Sequence, residues 1–82
     1  MTAADEIHPA PREFTPEEIA TDGVLRFFHY SHLPEGLQAR SAPFCRLARE
    51  IVDNTPRNPQ RTIALNKLLE AKDAAVRAAL PA

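Results

Sequence analysis

Apolar residues return at spacings of 4, 3, 4, 3 and 4 through Leu33, Leu37, Arg40, Phe44, Leu47 and Ile51, with Arg40 the one polar position. That is a helical, heptad-like period, and Ala48 and Val52 widen the stripe. Pro43 lies inside it. A proline within a helix removes one backbone hydrogen bond and costs about 3 kcal/mol. Two readings follow: a continuous helix from about 35 to 54, kinked at Pro43, or a helix that starts at 42–43 with Ser41 as its cap. The unbroken phase across Pro43 favours the first. A second periodic stretch carries Ile63, Leu65, Leu68, Leu69, Val76 and Leu80, with alanines 64, 71, 75 and 79 alongside. It predicts a helix from 59 to about 79, ended by Pro81. Between the two lies Thr55-Pro56-Arg57-Asn58-Pro59, a turn in which Asn58 suits the cap and Pro59 the first helical position.

Upstream the pattern is weaker. Thr15-Pro16-Glu17-Glu18 is a helix start, with Thr15 and Glu18 at the spacing of a capping box, and Asp22-Gly23 argues for a stop one or two turns later. Residues 24–34 hold three of the five aromatic residues, Phe27, Phe28 and Tyr30. They predict an extended or turn-rich segment, or a helical turn across 24–28. Residues 1–15, with two prolines and no apolar period, read as a flexible acidic tail, and 16–82 as one helical domain. The fold class is therefore all-α: a short N-terminal helix, then two long helices forming an antiparallel hairpin. Each long helix can cover only one side of the other, and apolar pairs at 51/52 and 68/69 widen both faces. Homo-oligomeric assembly is expected to cover the rest. Asp73 and Arg77 are spaced to pair on the wet face of the last helix.

Composition narrows the chemistry. The 82 residues limit the chain to one domain with a thin core. A lone cysteine, Cys45, excludes an internal disulfide and a cysteine-built zinc cluster, and a cytosolic setting is expected. The first residues lack the apolar run of a signal peptide, and no stretch approaches a membrane span. The net charge of -1 hides an asymmetry. Residues 1–22 hold six acids and one base, whereas residues 23–82 hold nine bases and five acids. The basic surplus suits an anionic ligand but is too small a stripe for duplex DNA, so nucleic acid is not the expected partner.

No catalytic constellation stands out. Cys45 sits beside Phe44 and Leu47 and reads as core. His29 and His32 are three apart, but His8 is the only other histidine and a metal needs further ligands. Glu50, Asp53 and Glu70 read as solvated or ion-paired surface carboxylates. The chain is thus read as a binding protein and not an enzyme, with no cofactor and no metal. Two features suit a nucleotide. Aromatic residues Phe28 and Tyr30 precede a helix carrying Arg40, Arg46 and Arg49, and Arg57 and Arg61 flank the inter-helix turn; rings stack on bases while arginines pair with phosphate. The free N–H groups at the start of the last helix, beside Arg61 and Thr62, suit an anion. The ordinary alternative is packing aromatics and surface charge in a structural or protein-binding module.

The stretch Arg61-Thr62-Ile63-Ala64-Leu65-Asn66-Lys67-Leu68-Leu69-Glu70-Ala71, the turn Thr55-Pro56-Arg57-Asn58 and the aromatic entry Tyr30-Ser31-His32-Leu33-Pro34 occur in an order that resembles one family. It is the hairpin-domain family of phage cyclic-oligonucleotide sponges, with anti-CBASS and anti-Thoeris members. The resemblance runs from Phe27 to Ala79, and the chain departs from the family pattern at Ser31, Pro43 and Phe44. It implies compact hairpins assembled into oligomers, often hexamers, in the cytoplasm of the infected bacterial host. Such proteins bind cyclic di- or trinucleotides or cyclic ADP-ribose derivatives between subunits and sequester them uncleaved. Carried over by position, Tyr30 matches the base-stacking aromatic. Arg40 or Ser41 matches the phosphate-facing position of the first long helix, and Arg61 and Thr62 the polar positions of the second.

Overall fold

Thr15 caps the first of the described helices in the computed structural model, which describes residues 12–81. Its hydroxyl accepts from the Glu18 N–H, and the Glu18 carboxylate accepts from the Thr15 N–H, closing the capping box. Helix α1 (Pro16–Thr21) stops at Asp22, and a 3-10 helix (Gly23–Phe28) follows at once. Of the two readings of this stretch, an extended or turn-rich segment and a helical turn across 24–28, the structure has the second, in its tighter 3-10 form. Helix α2 spans Glu35–Asn54 and helix α3 spans Pro59–Ala78. Among the described residues the fold is all-α, a bundle of four helical elements without a strand.

Helix α2 runs unbroken through Pro43. The lost hydrogen bond is the one that would have reached the Ala39 carbonyl, one turn back. Ala39 and Pro43 are both exposed, so water can serve that carbonyl. At the N-terminal end the Gln38 amide donates back to the carbonyls of Leu33 (2.8 Å) and Ser31 (3.3 Å), fixing the entry loop. At the other end Thr55 is extended ahead of Pro56, as a residue before proline prefers. Asn58 then caps α3, its side chain accepting from the Arg61 N–H at 3.0 Å.

The two long helices pack against each other, and the 3-10 helix packs on both. The core is Phe14, Leu25, Phe28, Tyr30, Cys45, Ala48 and Leu65. Its bulk comes from the segment ahead of α2, a point the helical period did not reveal. The face that α2 buries is centred on Ser41, Cys45, Ala48 and Arg49, not on the larger apolar stripe. Leu47 is 44 % exposed, and Phe44 and Ile51 lie at the core's flank. The reason is steric. Small residues at 41, 45 and 48 admit the rings of Phe14, Phe28 and Tyr30, so the larger apolar residues of α2 turn to the side.

Of the expected tail, residues 1–11 lie outside the described residues. Residues 12–15 form no regular element, but Phe14 is buried and the Glu13 carboxylate accepts from Tyr30 N–H (2.7 Å), Ser31 N–H (3.2 Å) and Ser31 hydroxyl (2.8 Å). The surface pair expected between Asp73 and Arg77 is replaced: Asp73 meets Lys72 at 3.3 Å.

Candidate functional site

Two arginines tie the N-terminal segment to the long helices. On α2, Arg49 grips the Glu18 carboxylate with both terminal nitrogens and donates to the Glu13 carbonyl at 3.2 Å. Its guanidinium also lies over the Phe14 ring, 4.4 Å from the centroid. Those hydrogen bonds from Arg49, with the one from the Thr15 N–H, pull the Glu18 carboxyl down to about 2. On α3, Arg61 pairs with Asp22 and donates to the carbonyls of Val52 (3.3 Å) and Thr55 (2.9 Å). The Asp22 and Arg61 side chains are 6 % and 7 % exposed. Partial burial raises the Glu13 carboxyl, but the hydrogen bonds from Tyr30 and Ser31 outweigh it and leave the group below its ordinary range.

A cleft of about 500 Å³ opens between the end of α1, the 3-10 helix and the first turns of α3. Asp22, Arg26 and Phe27 line one side, and Arg57, Thr62, Asn66 and Leu69 the other. A second depression, lined by Arg57, Asn58, Pro59 and Thr62, adjoins it over the start of α3. Arg26 and Arg57 are exposed, and neither has a carboxylate within ion-pair distance among the described residues. The Arg57 guanidinium donates to the Thr21 carbonyl at 3.3 Å, and Arg26 stacks over Phe27 at 4.9 Å. Phe27 is 49 % exposed, which leaves half of its surface open to a planar ligand. Thr62 and Asn66 lie one turn apart on α3, and the Asn66 amide donates to the Thr62 carbonyl at 2.8 Å. The cleft thus offers two guanidinium groups, a hydroxyl, an amide and an aromatic ring, a set suited to a small anion with a flat portion.

Of the ligand-binding candidates singled out in the sequence, this cleft gathers Arg57 and Thr62. Phe28 and Tyr30 are core residues, and burial raises the Tyr30 hydroxyl's pKa, with Cys45 and Glu13 adding to it. Ser41 is buried on α2, its hydroxyl without a hydrogen-bond partner among the described residues. Arg61 is buried in its pair with Asp22. Arg40 is exposed elsewhere, in a depression shared with Ala75, Ala78 and Ala79. Sequence reasoning missed Arg26 and Asn66, and did not join Phe27 to Arg57 in one site. Arg57 and Thr62 flank the turn cap, so that half was findable. The Arg26-Phe27 half becomes a wall only because the 3-10 helix turns both residues away from the core side held by Leu25 and Phe28.

Cys45 is fully buried, and burial lifts its thiol to about 11, so it is inert as a nucleophile. No group of three or more metal-ligating side chains forms among the described residues. No described helix is long and apolar enough to cross a membrane. Comparison with protein-family models, with curated proteins and with solved structures gives no match to this chain.

Proposed function

We propose that the chain captures a cyclic oligonucleotide second messenger without cleaving it, and so antagonises bacterial anti-phage signalling inside the infected cell. The observation that carries this reading is the cleft between the 3-10 helix and α3, where Arg26 and Arg57, in no ion pair among the described residues, stand beside a half-exposed Phe27. Its volume lies within the roughly 300–1,000 Å³ usual for small-molecule sites. Arginine forks match phosphate oxygens, and a ring face accepts any nucleobase. Capture alone needs no nucleophile, general base or metal.

In this reading α2 and α3 form an antiparallel hairpin, and copies of it assemble as a homo-oligomer. Two observations support that arrangement. Arg61, at the start of α3, bonds the Val52 carbonyl near the end of α2, while Arg40, early in α2, shares a depression with the last turns of α3. Phe27, Leu47, Ile63 and Leu80 are each between 44 % and 49 % exposed, apolar surface that a second copy of the chain would cover. The same four residues favour the second reading, a protein-binding helical module with no nucleotide affinity.

Isothermal titration against a panel of cyclic di- and trinucleotides and cyclic ADP-ribose derivatives decides between them. The expected result is binding to at least one, with the ligand recovered intact and Arg57→Ala weakening it at least about tenfold, the scale of a lost charge-assisted contact. Absence of binding by the folded protein would overturn the nucleotide reading.

A further inference from the structure

Asp22 is a carboxylate in the lining of a cleft otherwise suited to anions. Left bare, it would repel the ligand that Arg26 and Arg57 attract. It is not bare: Arg61 reaches it from α3, and the pair is nearly sealed from water. Asp22 and Arg61 together line a second depression, with Glu17, Glu18, Thr21 and Val52. The ion pair is therefore the partition between a face carrying two arginines and a face carrying two glutamates. It also fixes geometry. Arg61 is anchored to Val52 and Thr55 as well as to Asp22, and Arg57 holds the Thr21 carbonyl, the residue before Asp22.

We propose that Arg61 is a positioning residue whose charge cancels that of Asp22, so that the cleft presents the net charge of Arg26 and Arg57 to an anion. The proposal rests on reading the cleft as an anion site, but not on the anion being a cyclic nucleotide. Of the formal charges bordering the cleft, Arg26 and Arg57 give two positive and Asp22 one negative, so cancelling Asp22 changes the net from one positive to two. Like-charge contact in a partly dry site discriminates strongly against a ligand.

The test uses the full chain, inorganic pyrophosphate as probe and the amide NMR shifts of Thr62 and Asn66 as readout, with circular dichroism to verify folding. Arg61→Met is expected to weaken pyrophosphate at least about tenfold, and Asp22→Asn to bind as tightly as the unmodified chain or more so, because the Arg61 charge is then no longer cancelled. The double variant Asp22→Asn with Arg61→Met should return to within about threefold of the unmodified chain, since both charges are removed together. A purely structural role predicts the reverse for Asp22→Asn and no rescue. A folded double variant as weak as Arg61→Met, or a folded Asp22→Asn weakened about tenfold, would overturn the proposal. Should Arg61→Met fail to fold, the other two variants decide it. An unmodified chain that binds pyrophosphate but no cyclic nucleotide would remove the proposed function and leave this inference standing. An unmodified chain blind to millimolar pyrophosphate would remove the anion cleft and this inference with it.

Discussion

Arg49 holds Phe14 and Glu18 at once: its guanidinium lies 4.4 Å from the Phe14 ring centroid while its terminal nitrogens clasp the Glu18 carboxylate. One side chain of α2 thereby secures both the approach to α1 and its capping residue. Arg49→Ala is expected to destabilise the fold by roughly 2–3 kcal/mol. That is below the 3–5 kcal/mol of a fully buried pair, because Glu18 keeps some contact with water. Arg49→Lys should recover little of this, since an ammonium cannot make the two-pronged contact. Urea denaturation with a common slope for all variants checks it.

The same clasp makes stability depend on acid. The Glu18 carboxyl titrates near 2 in the fold, against an ordinary value of 4.5. A folded-state value below the unfolded one stabilises the protein fully above pH 4.5, and that contribution is lost as pH falls through the interval to 2. The depressed Glu13 carboxyl acts in the same direction. Thermal melts from pH 6 down to pH 2 should therefore show a falling Tm, and Glu18→Gln should flatten the curve while lowering its neutral-pH plateau.

Helix capping gives a smaller, cleaner test. Thr15→Ala removes the hydroxyl that accepts from the Glu18 N–H, and Asn58→Ala removes the acceptor for the Arg61 N–H. Each is expected to cost about 1 kcal/mol. The two caps serve different helices and share no partner, so the double variant should be additive within about 0.5 kcal/mol, as separate sites usually are.

Cys45 reports on opening of the core. With a fully buried side chain and a thiol lifted to about 11, it should resist a thiol-reactive disulfide reagent at pH 8. Labelling should rise in step with loss of helical signal in urea. Fast labelling of the folded chain would contradict the packing of Phe14, Phe28 and Tyr30 over this position.

The helices were legible because their punctuation is local. Thr15 with Glu18, the Asp22-Gly23 stop and the Asn58-Pro59 start are each readable within a few residues. The direction in which α2 faces was not. A stripe of Leu37, Phe44, Leu47 and Ile51 looks like a core-facing seam, yet the buried seam is Ser41, Cys45 and Ala48. Only the knowledge that bulky rings arrive from another segment explains why small residues face inward. Phe14 did leave a signal: it precedes the cap at Thr15, and Ile19 follows at the fourth helical position, the two places of a hydrophobic staple. Both residues belong to or border the core. The candidate cleft was the least legible part, because its two walls are more than 25 residues apart and neither carries a motif.

The contacts that bind the N-terminal segment to the rest span long stretches of chain: 31 residues from Glu18 to Arg49 and 39 from Asp22 to Arg61. Helices α2 and α3 need a loop of only a few residues to meet, so their pairing sets in early. The segment bearing Phe14 and Asp22 must close a much longer loop before its ion pairs with α2 and α3 form. It is therefore the last part to dock and the first to let go, and backbone amides in α1 should exchange with solvent deuterium before those in the middle of α2. Since Asp22 and Arg26 lie on that segment, one wall of the cleft exists only while these long-range contacts hold.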